Sequence, residues 1–303
     1  MTNTTYHEPV MLQPCIDGLN LKPGGTYVDV TFGGGGHSRE ILKQLEGGRL
    51  IVFDQDPDAR ANAEALDDPR LTFVAANFRH LKRYLRLYKA DQVDGILADL
   101  GISSHQIDTP ERGFSTRYEA ELDMRMNQMG NLTAKSVINH YPEEKLHRIF
   151  GMYGEVTNAR TLASAIVTAR LNRPLDTVND LKAVMQRYAP RGKENKYFAQ
   201  VFQALRIEVN EELAVLEEFL EQIPDALAPG GRLVVMAYHS LEDRLVKNFI
   251  KAGNFQGIED KDLYGNVTKP LQSVTRKPIE ASAEEVSRNP RARSAKLRIA
   301  ERI

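Results

Sequence analysis

The segment from residue 28 to residue 38 constrains the fold more than any other part of the chain. A short β-rich run, residues 28–31, leads into four consecutive glycines at 33–36, and a helix-like segment follows over 38–45. Glycine turns sharply and lets a ligand lie directly against backbone N–H groups. At a helix N-terminus, those N–H groups carry a partial positive charge that favours an anionic or oxygen-rich ligand. The segment therefore predicts an α/β domain with a ligand site at this loop.

An acidic residue follows at a spacing that points to a nucleoside cofactor. The second predicted strand, residues 50–53, ends at Asp54, which lies 21 residues after Gly33. An acid at the tip of the second strand commonly binds the ribose hydroxyls of an adenine-containing cofactor. A dinucleotide fingerprint would need a glycine three residues after Gly35, where this chain has Ser38. We therefore predict S-adenosylmethionine (SAM) and keep NAD as the alternative, because the loop is similar to the first motif of SAM-dependent methyltransferases, Asp29-x-Thr31-x-Gly33-x-Gly35.

Strands and helices alternate as in a doubly wound α/β domain. Five strands are predicted at 26–31, 50–53, 71–75, 93–98 and 232–237, with a last, edge strand at 297–300. The interval between strands four and five is far longer than a crossover helix needs, and its pattern is helical at 133–140, 142–150, 158–171, 178–188 and from 196 toward 227. We predict a Rossmann-like methyltransferase sheet, formed by residues 1–105 and 212–303. Residues 106–211 are predicted to form a helical insertion that recognises the substrate.

Composition excludes several classes of protein. The 303 residues are 42% hydrophobic and contain no apolar run long enough to span a membrane. The N-terminus lacks a basic segment followed by an apolar stretch, and the single cysteine, Cys15, cannot form an internal disulfide. These features predict a cytoplasmic globular protein. Cysteines and histidines show no zinc spacing, so we expect no metal site. Both a monomer and a homodimer are compatible with the sequence.

Two regions are basic although the net charge of the chain is only −1. Residues 186–206 carry five Lys or Arg and one Glu, and residues 269–303 carry nine Lys or Arg and four Glu. Basic surfaces on a neutral protein indicate an anionic partner that binds one face. The alternative is that these side chains are ordinary solvated charges.

Short motifs along nearly the whole chain indicate a protein family more specifically than the glycine loop does. They are His7-x-Pro9-Val10-Met11-Leu12, Thr31-Phe32-Gly33-Gly34-Gly35-Gly36-His37-Ser38, Asp54-Gln55-Asp56-Pro57, Asp94-Gly95-Ile96-Leu97-Ala98-Asp99-Leu100-Gly101-Ile102-Ser103-Ser104, Glu111-Arg112-Gly113-Phe114-Ser115, Leu122-Asp123-Met124-Arg125-Met126, Phe202-Gln203-Ala204-Leu205-Arg206-Ile207, His239-Ser240-Leu241-Glu242-Asp243-Arg244 and Asn289-Pro290-Arg291-Ala292-Arg293-Ser294. In this order they resemble the bacterial small-subunit ribosomal RNA cytosine-N4 methyltransferases (RsmH, also called MraW). Two positions depart from the family pattern: Ala237-Tyr238 stands where Ser-Phe is expected, and His105 stands where many members have Pro.

The resemblance implies a substrate, a cofactor and a set of contacts. The implied reaction is methylation of the N4 amine of a cytidine in the decoding region of 16S ribosomal RNA, free or in the assembled small subunit. The implied SAM contacts are Gly35, Gly36, His37, Asp54, Phe78, Asp99 and Gln106. We expect His37 to act through its backbone N–H, at the start of a helix. Phe78 follows strand three, where its ring can cover an adenine or pack into the core. The basic residues expected to meet RNA phosphate are Arg191, Lys193, Lys196, Arg291 and Arg293.

The chemistry of the implied reaction selects candidate catalytic groups. A cytosine N4 amine is a poor nucleophile, so the site must hold it in line with the methyl group and accept its hydrogen bonds as it becomes positive. Asp99, Ser103 and Ser104 offer acceptors after strand four, and Tyr238-His239 after strand five can stack on or hydrogen-bond the base. Asp99 is a candidate for orienting SAM, for accepting from the amine, or for both.

Other functions remain open from the residues alone. A DNA amino-methyltransferase would usually carry two prolines and an aromatic after strand four, where this chain has Leu100-Gly101-Ile102. A non-catalytic, SAM-sensing RNA-binding protein is a second alternative. An NAD-dependent oxidoreductase is a third, disfavoured by Ser38 at the third glycine position.

Overall fold

The computed structural model describes residues 9–261, 264–265 and 268–303, so His7 of the first motif lies outside the described residues. The chain divides into two units: a sheet unit, from the N-terminus to Gly101 and from Leu213 to Ile303, and a helical unit, Ile102–Glu212. The sequence placed the first boundary a few residues later, at 105–106. The side chain of Ile102 packs against the hydrophobic core of the helical unit, which assigns it to that unit.

The elements follow one another in a regular order. Along the chain they are α1 (Leu12–Leu19), β1 (Thr26–Asp29), α2 (Gly36–Gln44), β2 (Arg49–Asp54), α3 (Ala59–Leu66), β3 (Leu71–Ala75), α4 (Leu81–Leu87), β4 (Val93–Asp99), α5 (Ser104–Asp108), α6 (Ala134–His140), α7 (Glu143–Met152), α8 (Ala159–Asn172), α9 (Val178–Met185), α10 (Glu194–Asn210), α11 (Glu212–Ala226), β5 (Leu227–Ala237), α12 (Ser240–Ala252), β6 (Leu271–Ser273), β7 (Ile279–Glu280), α13 (Ala283–Arg288) and β8 (Lys296–Arg302). Short 3₁₀ turns lie at Phe78–His80, Pro110–Arg112 and Pro290–Ser294.

The sheet has the strand order β3-β2-β1-β4-β5-β8-β6, with β7 also paired to β8. Strands β1 to β5 are parallel, and β8 runs antiparallel to β5. The predicted α/β class, with helices α5 to α10 inserted between strands four and five, is confirmed. The prediction that the last strand lies at the edge was wrong, because β6 pairs with the other side of β8. Strand β6 has only three residues, too few to show the alternation by which a strand is recognised.

Both faces of the sheet are covered by helices. Consecutive side chains of a strand point to opposite faces. Leu50 and Val52 of β2 join one core with residues of α1, α2 and α3, whereas Ile51 and Phe53 join the other core with residues of α4, α11 and α12. Because both faces are buried, the central strands read as continuous apolar runs in the sequence. The carboxyl ends of β1 to β5 are thereby fixed along one edge.

The helical unit is built around an apolar core of its own. Residues from α6 to α10 contribute to it, among them Leu162 and Ile166 of α8 and Val201 and Leu205 of α10. The long helix predicted from 196 toward 227 is two helices, because Glu211 between them adopts a left-handed conformation with φ of 52°. A glutamate gives no sequence signal for such a break. None of the helices in the described part of the chain is long and apolar enough to span a membrane.

Candidate active site at the carboxyl edge of the sheet

The glycine loop connects β1 to α2 and has a geometry that only glycine supports easily. Gly33 and Gly35 both have positive φ angles, 51° and 73°. A Cβ on Gly35 would lie 2.9 Å from the ring of Phe32, and a Cβ on Gly36 would lie 2.3 Å from the ring of Pro9. The loop is therefore packed against neighbouring residues as well as turned, which accounts for glycine at positions 33, 35 and 36.

Asp54, at the end of β2, ties the loop to the second strand. One oxygen, Oδ2, accepts the N–H of Gly33 at 2.8 Å, and Oδ1 accepts the N–H of Asp56 at 2.8 Å. Burial raises the pKa of Asp54 to about 6, although these two hydrogen bonds favour its ionised form. Each carboxylate oxygen can accept a second hydrogen bond. The side chain can therefore still accept the hydroxyls of a ribose, as the spacing predicts.

Asp29, at the end of β1, explains the serine at the third glycine position of the fingerprint. The hydroxyl of Ser38 donates to Oδ2 of Asp29 at 2.7 Å, and the backbone N–H of Thr31 donates to Oδ1 at 3.0 Å. Asp29 is only 2% exposed, and burial raises its pKa. Serine at position 38 thus satisfies a buried carboxyl group, a role that sequence reasoning missed.

Asp99, at the end of β4, lies next to three polar groups of the sheet unit. Its backbone N–H donates to Oγ1 of Thr31 at 2.7 Å, and its Oδ1 accepts the hydroxyl of Tyr238 at 2.7 Å. Its other oxygen, Oδ2, lies 3.9 Å from Nδ1 of His37. Burial raises the pKa of Asp99 to about 6, while His37 and Tyr238 act in the opposite direction. Asp99 is therefore an ionisable acceptor at the carboxyl edge.

His37 uses its ring to hold the N-terminal segment. Its Nε2 lies 3.1 Å from the carbonyl oxygen of Val10. A carbonyl only accepts, so Nε2 carries the proton in this contact. The ring is buried, at 8% side-chain exposure. Binding of a cofactor through the backbone N–H of His37 stays a prediction that this arrangement permits.

Phe78 lies in the 3₁₀ turn after β3, at the same edge of the sheet. Its ring makes an edge-to-face contact with Phe219 of α11, with centroids 5.2 Å apart. The residue is only partly buried and packs against the core that includes Phe219. The structure thus supports a packing role directly, and the predicted adenine contact stays a prediction.

The remaining predicted residues after β4 lie in the helical unit, at the start of α5. The hydroxyl of Ser103 accepts the N–H of Gln106 at 3.2 Å, and Oε1 of Gln106 accepts the N–H of Ser103 at 3.1 Å. This reciprocal pair is a capping box, and Ser104 is the first helical residue. The spacing Ser-x-x-Gln carries that signal in the sequence. Roles for Ser103, Ser104 and Gln106 toward cofactor or base stay predictions.

His239 is also an N-cap, at the start of α12. Its Nδ1 accepts the N–H of Glu242 at 3.4 Å, and the Glu242 carboxylate accepts the N–H of Tyr238 at 2.9 Å. Glu242 is only 3% exposed, and its Oε1 lies 3.1 Å from Nε2 of His239. Sequence reasoning missed Glu242, which fixes the turn that carries Tyr238 and His239.

Comparison with known proteins identifies the family. The model of the MraW methylase family matches residues 4–303. The chain belongs to the MraW methylase family. A relative from Cytophaga hutchinsonii, named ribosomal RNA small subunit methyltransferase H, is 62% identical over 98% of this chain and 99% of its own length. A relative of the same name from Flavobacterium johnsoniae is 56% identical over 100% of this chain and 99% of its own length.

Family membership confirms the resemblance and the predicted enzyme class. A methylase transfers a methyl group, so the oxidoreductase alternative is set aside. Among solved structures, an rRNA methylase from Streptococcus thermophilus matches 97% of this chain and 95% of its own, with 11% identity and a TM-score of 0.40, a likeness too distant to assign function.

Proposed function

We propose that this member of the MraW methylase family transfers the methyl group of SAM to the N4 amine of a cytidine in the decoding region of 16S ribosomal RNA. The names of its full-length relatives support a small-subunit ribosomal RNA substrate. The observation that carries the chemistry is Asp99 at the end of β4, whose backbone N–H donates to Thr31 and whose ionisable carboxylate accepts the hydroxyl of Tyr238. We expect the reaction to take place in the cytoplasm, where a ribosomal substrate would be available.

The residues of the glycine loop fit SAM. We assign Gly35, Gly36 and the backbone of His37 to its amino-acid part, because Gly35 has no side chain to cover the first N–H groups of α2. We assign Asp54 to the ribose hydroxyls, because its carboxylate stands beside the loop with acceptor capacity remaining. Phe78 is assigned to the adenine, and Gln106 to a polar contact. When bound, SAM supplies a methyl group made electrophilic by its sulfonium.

Asp99 is proposed to act on the attacking amine. The lone pair of the cytosine N4 amine is delocalised into the ring, and positive charge develops on the nitrogen as it attacks. A carboxylate that accepts an N–H of this amine stabilises the charge where it appears, which lowers the barrier. We assign Ser103, Ser104 and His239 as further polar groups that position the base. A target base within folded RNA must first leave its stack.

Exposed cations are proposed to hold the RNA backbone. Arg191, Lys193 and Lys196 are exposed on the segment before and at the start of α10 in the helical unit. Asn158 braces this segment, because its amide donates to the carbonyl of Tyr188 and accepts the hydroxyl of Tyr197. Lysine and arginine on a braced surface suit phosphate contacts.

A second set of cations lies in the sheet unit. Arg291 and Arg293 belong to the 3₁₀ turn directly before β8. The first residue of β8, Lys296, pairs with Ala237 at the carboxyl end of β5. This turn therefore lies near the same edge as Asp99, and we propose that both arginines contact phosphates next to the target nucleotide.

The proposed function is tested by methyl transfer from labelled SAM to three substrates. Naked small-subunit RNA, assembled small subunits and duplex DNA are incubated with the enzyme under identical conditions. We expect label in RNA or in the subunits and none above background in DNA. Label in DNA alone would replace the proposal with a DNA amino-methyltransferase, and SAM binding without transfer to any substrate would replace it with a SAM-sensing RNA-binding protein.

A further inference from the structure

The hydroxyl of Tyr238 touches the carboxylate proposed to act on the amine, and the proposed reaction gives this hydroxyl no role beyond that contact. Tyr238 follows β5 and donates to Oδ1 of Asp99 at 2.7 Å. The other oxygen, Oδ2, has His37 Nδ1 at 3.9 Å, beyond hydrogen-bond distance. One oxygen of the carboxylate is thus fixed from the side of β5 and keeps one acceptor position, whereas Oδ2 accepts no hydrogen bond from the described part of the chain and keeps both of its positions for an incoming group.

We propose that Tyr238 is a positioning residue for methyl transfer, whose hydroxyl fixes the Asp99 carboxylate and keeps it ionised so that Oδ2 accepts the N–H of the attacking amine. This inference rests on the proposed function and deepens it. It assigns to Tyr238 an action through Asp99, in contrast to the expectation that its ring stacks on the base.

The backbone holds Tyr238 firmly enough for this role. Asp99 pairs with Met236 across β4 and β5, and the N–H of Leu100 donates to the Met236 carbonyl at 2.9 Å. The N–H of Tyr238 donates to the buried carboxylate of Glu242 at 2.9 Å. The backbone that carries the phenol is therefore held by strand pairing and by the start of α12.

The ionisation of Asp99 depends on its burial and on the charged and titratable groups around it, one of which is the hydroxyl of Tyr238. Burial, and then Asp29 of β1 and Glu242 of α12, raise the pKa of Asp99, whereas His37 of α2 and the hydrogen bond from Tyr238 lower it. Burial and the charge of Asp99 raise the pKa of the Cys15 thiol in α1 well above its usual range. Burial and Asp99 likewise raise the pKa of Tyr238, so its hydroxyl stays protonated and donates throughout the working range of pH.

Replacing Tyr238 by Phe removes the hydroxyl and keeps the ring. The lost hydrogen bond favours the ionised form of the carboxylate. Its removal therefore raises the pKa of Asp99 in this variant, by about one pH unit or more. The single-turnover rate of methyl transfer is measured from pH 5 to pH 9 at saturating SAM and RNA. We expect the acid limb of the Tyr238→Phe profile to move upward by about one pH unit relative to wild type, with unchanged SAM affinity.

Tyr141→Phe is the matched control. Its hydroxyl also donates to a carboxylate, Oε1 of Glu208 at 2.8 Å, but within the helical unit. We expect its acid limb to coincide with that of wild type. Thermal unfolding of each variant is measured in parallel, so a rate loss from misfolding appears as a uniform loss at all pH values rather than as a displaced limb.

The other possible results of these measurements also decide for or against a role of Tyr238 through Asp99. In an Asp99→Asn background, Tyr238→Phe should no longer displace any limb, because the group through which it acts is gone. A Tyr238→Phe profile that overlays the wild-type profile would overturn the inference while leaving the proposed function intact. Absence of methyl transfer by wild type would instead refute the proposed function. A uniform rate loss without displacement would return Tyr238 to base stacking or to a purely structural role.

Discussion

The carboxyl edge of the sheet unit and the core of the helical unit differ in the side chains they bury: carboxyl groups at the edge and apolar side chains in the core. At the edge, buried or half-buried carboxyl groups each receive hydrogen bonds from nearby residues, as Asp29 does from Ser38 and Asp54 does from Gly33. The helical unit has an apolar core, and its exposed cations lie on a braced segment outside that core. In the proposed function, cofactor chemistry therefore depends on buried polar groups held in place, whereas RNA attachment depends only on charge at a stable surface.

If this division is correct, substitutions in the two regions have separable effects. Changes at the edge should alter SAM affinity or turnover. Changes among the exposed cations of the helical unit should alter RNA affinity and its salt dependence.

The largest expected effect follows Asp99→Asn. Asparagine keeps the size and an acceptor oxygen but removes the charge that stabilises the positive amine, so turnover should fall about 100-fold. SAM affinity should change little, because the interaction forms mainly in the transition state. Single-turnover methylation and calorimetric SAM binding measure the two quantities. A rate loss that is fully explained by weaker SAM binding would assign Asp99 to the cofactor alone.

Asp54→Ala should act on the cofactor instead. Hydrogen bonds to a charged group contribute about 1.5–3 kcal/mol, so SAM affinity should fall about tenfold or more. The variant also removes the acceptor of the Gly33 N–H, which loosens the loop. Asp91→Ala, at an exposed position before β4, is the control and should bind SAM like wild type. Calorimetry that finds equal affinity in the Asp54 and Asp91 variants would remove Asp54 from the site.

Neutralising the basic segment of the helical unit should act on RNA only. Changing Arg191, Lys193 and Lys196 together to Gln should weaken RNA binding about tenfold and reduce the salt slope by about one for each phosphate that the protein no longer neutralises. SAM affinity should stay at the wild-type value. The control removes three exposed cations of the sheet unit, in the change of Arg83, Arg86 and Lys89 to Gln. Equal salt slopes in the two triple variants would mean that the segment carries ordinary solvated charges.

The smallest expected effect is on stability. Burial raises the pKa of Asp99 to about 6, so its ionised form costs folding free energy at pH 7, and that cost disappears as pH falls through about 6 toward the unfolded value. At pH 7, the free energy of unfolding of Asp99→Asn should therefore exceed that of wild type by about 1–2 kcal/mol, and the variant should unfold at a higher temperature. The difference should close by about pH 4. Thermal unfolding at a series of pH values measures it, and a difference independent of pH would contradict the assigned cause.

Features of this protein that lie within one stretch of the chain could be predicted from the sequence, and contacts between distant elements could not. The glycine loop, Asp54 and strands β1 to β4 are encoded by contiguous residues, so local pattern was sufficient to predict them. Family motifs extended the prediction to Asp99 and His239. The pairing of Ser38 with Asp29 and of Tyr238 with Asp99 could not be predicted, because each joins residues from different elements. The separation in the second pair is 139 residues.

Errors in the predicted elements have equally local causes. The end of α10 could not be predicted from the sequence, because the left-handed residue that ends the helix is Glu211, and glutamate rarely adopts that conformation. The interior position of β8 could not be predicted either, because its outer neighbour β6 has only three residues and was not recognised as a strand. The turn predicted at 228–231 is confirmed inside β5, which begins at Leu227: Val93 pairs with Leu227 and Gly95 with Arg232, and Gly230 between them has φ of 74°.

The most direct test of the proposed chemistry is the identity of the methylated nucleoside. Small-subunit ribosomal RNA, treated with the enzyme and labelled SAM, is digested to nucleosides and analysed by mass spectrometry, with the modified position located in fragments. We predict N4-methylcytidine at one cytidine of the decoding region, strongly reduced in the Asp99→Asn variant. Methyl groups on a ring carbon of cytosine or on another base would contradict the assignment of Asp99 as the acceptor for an exocyclic amine.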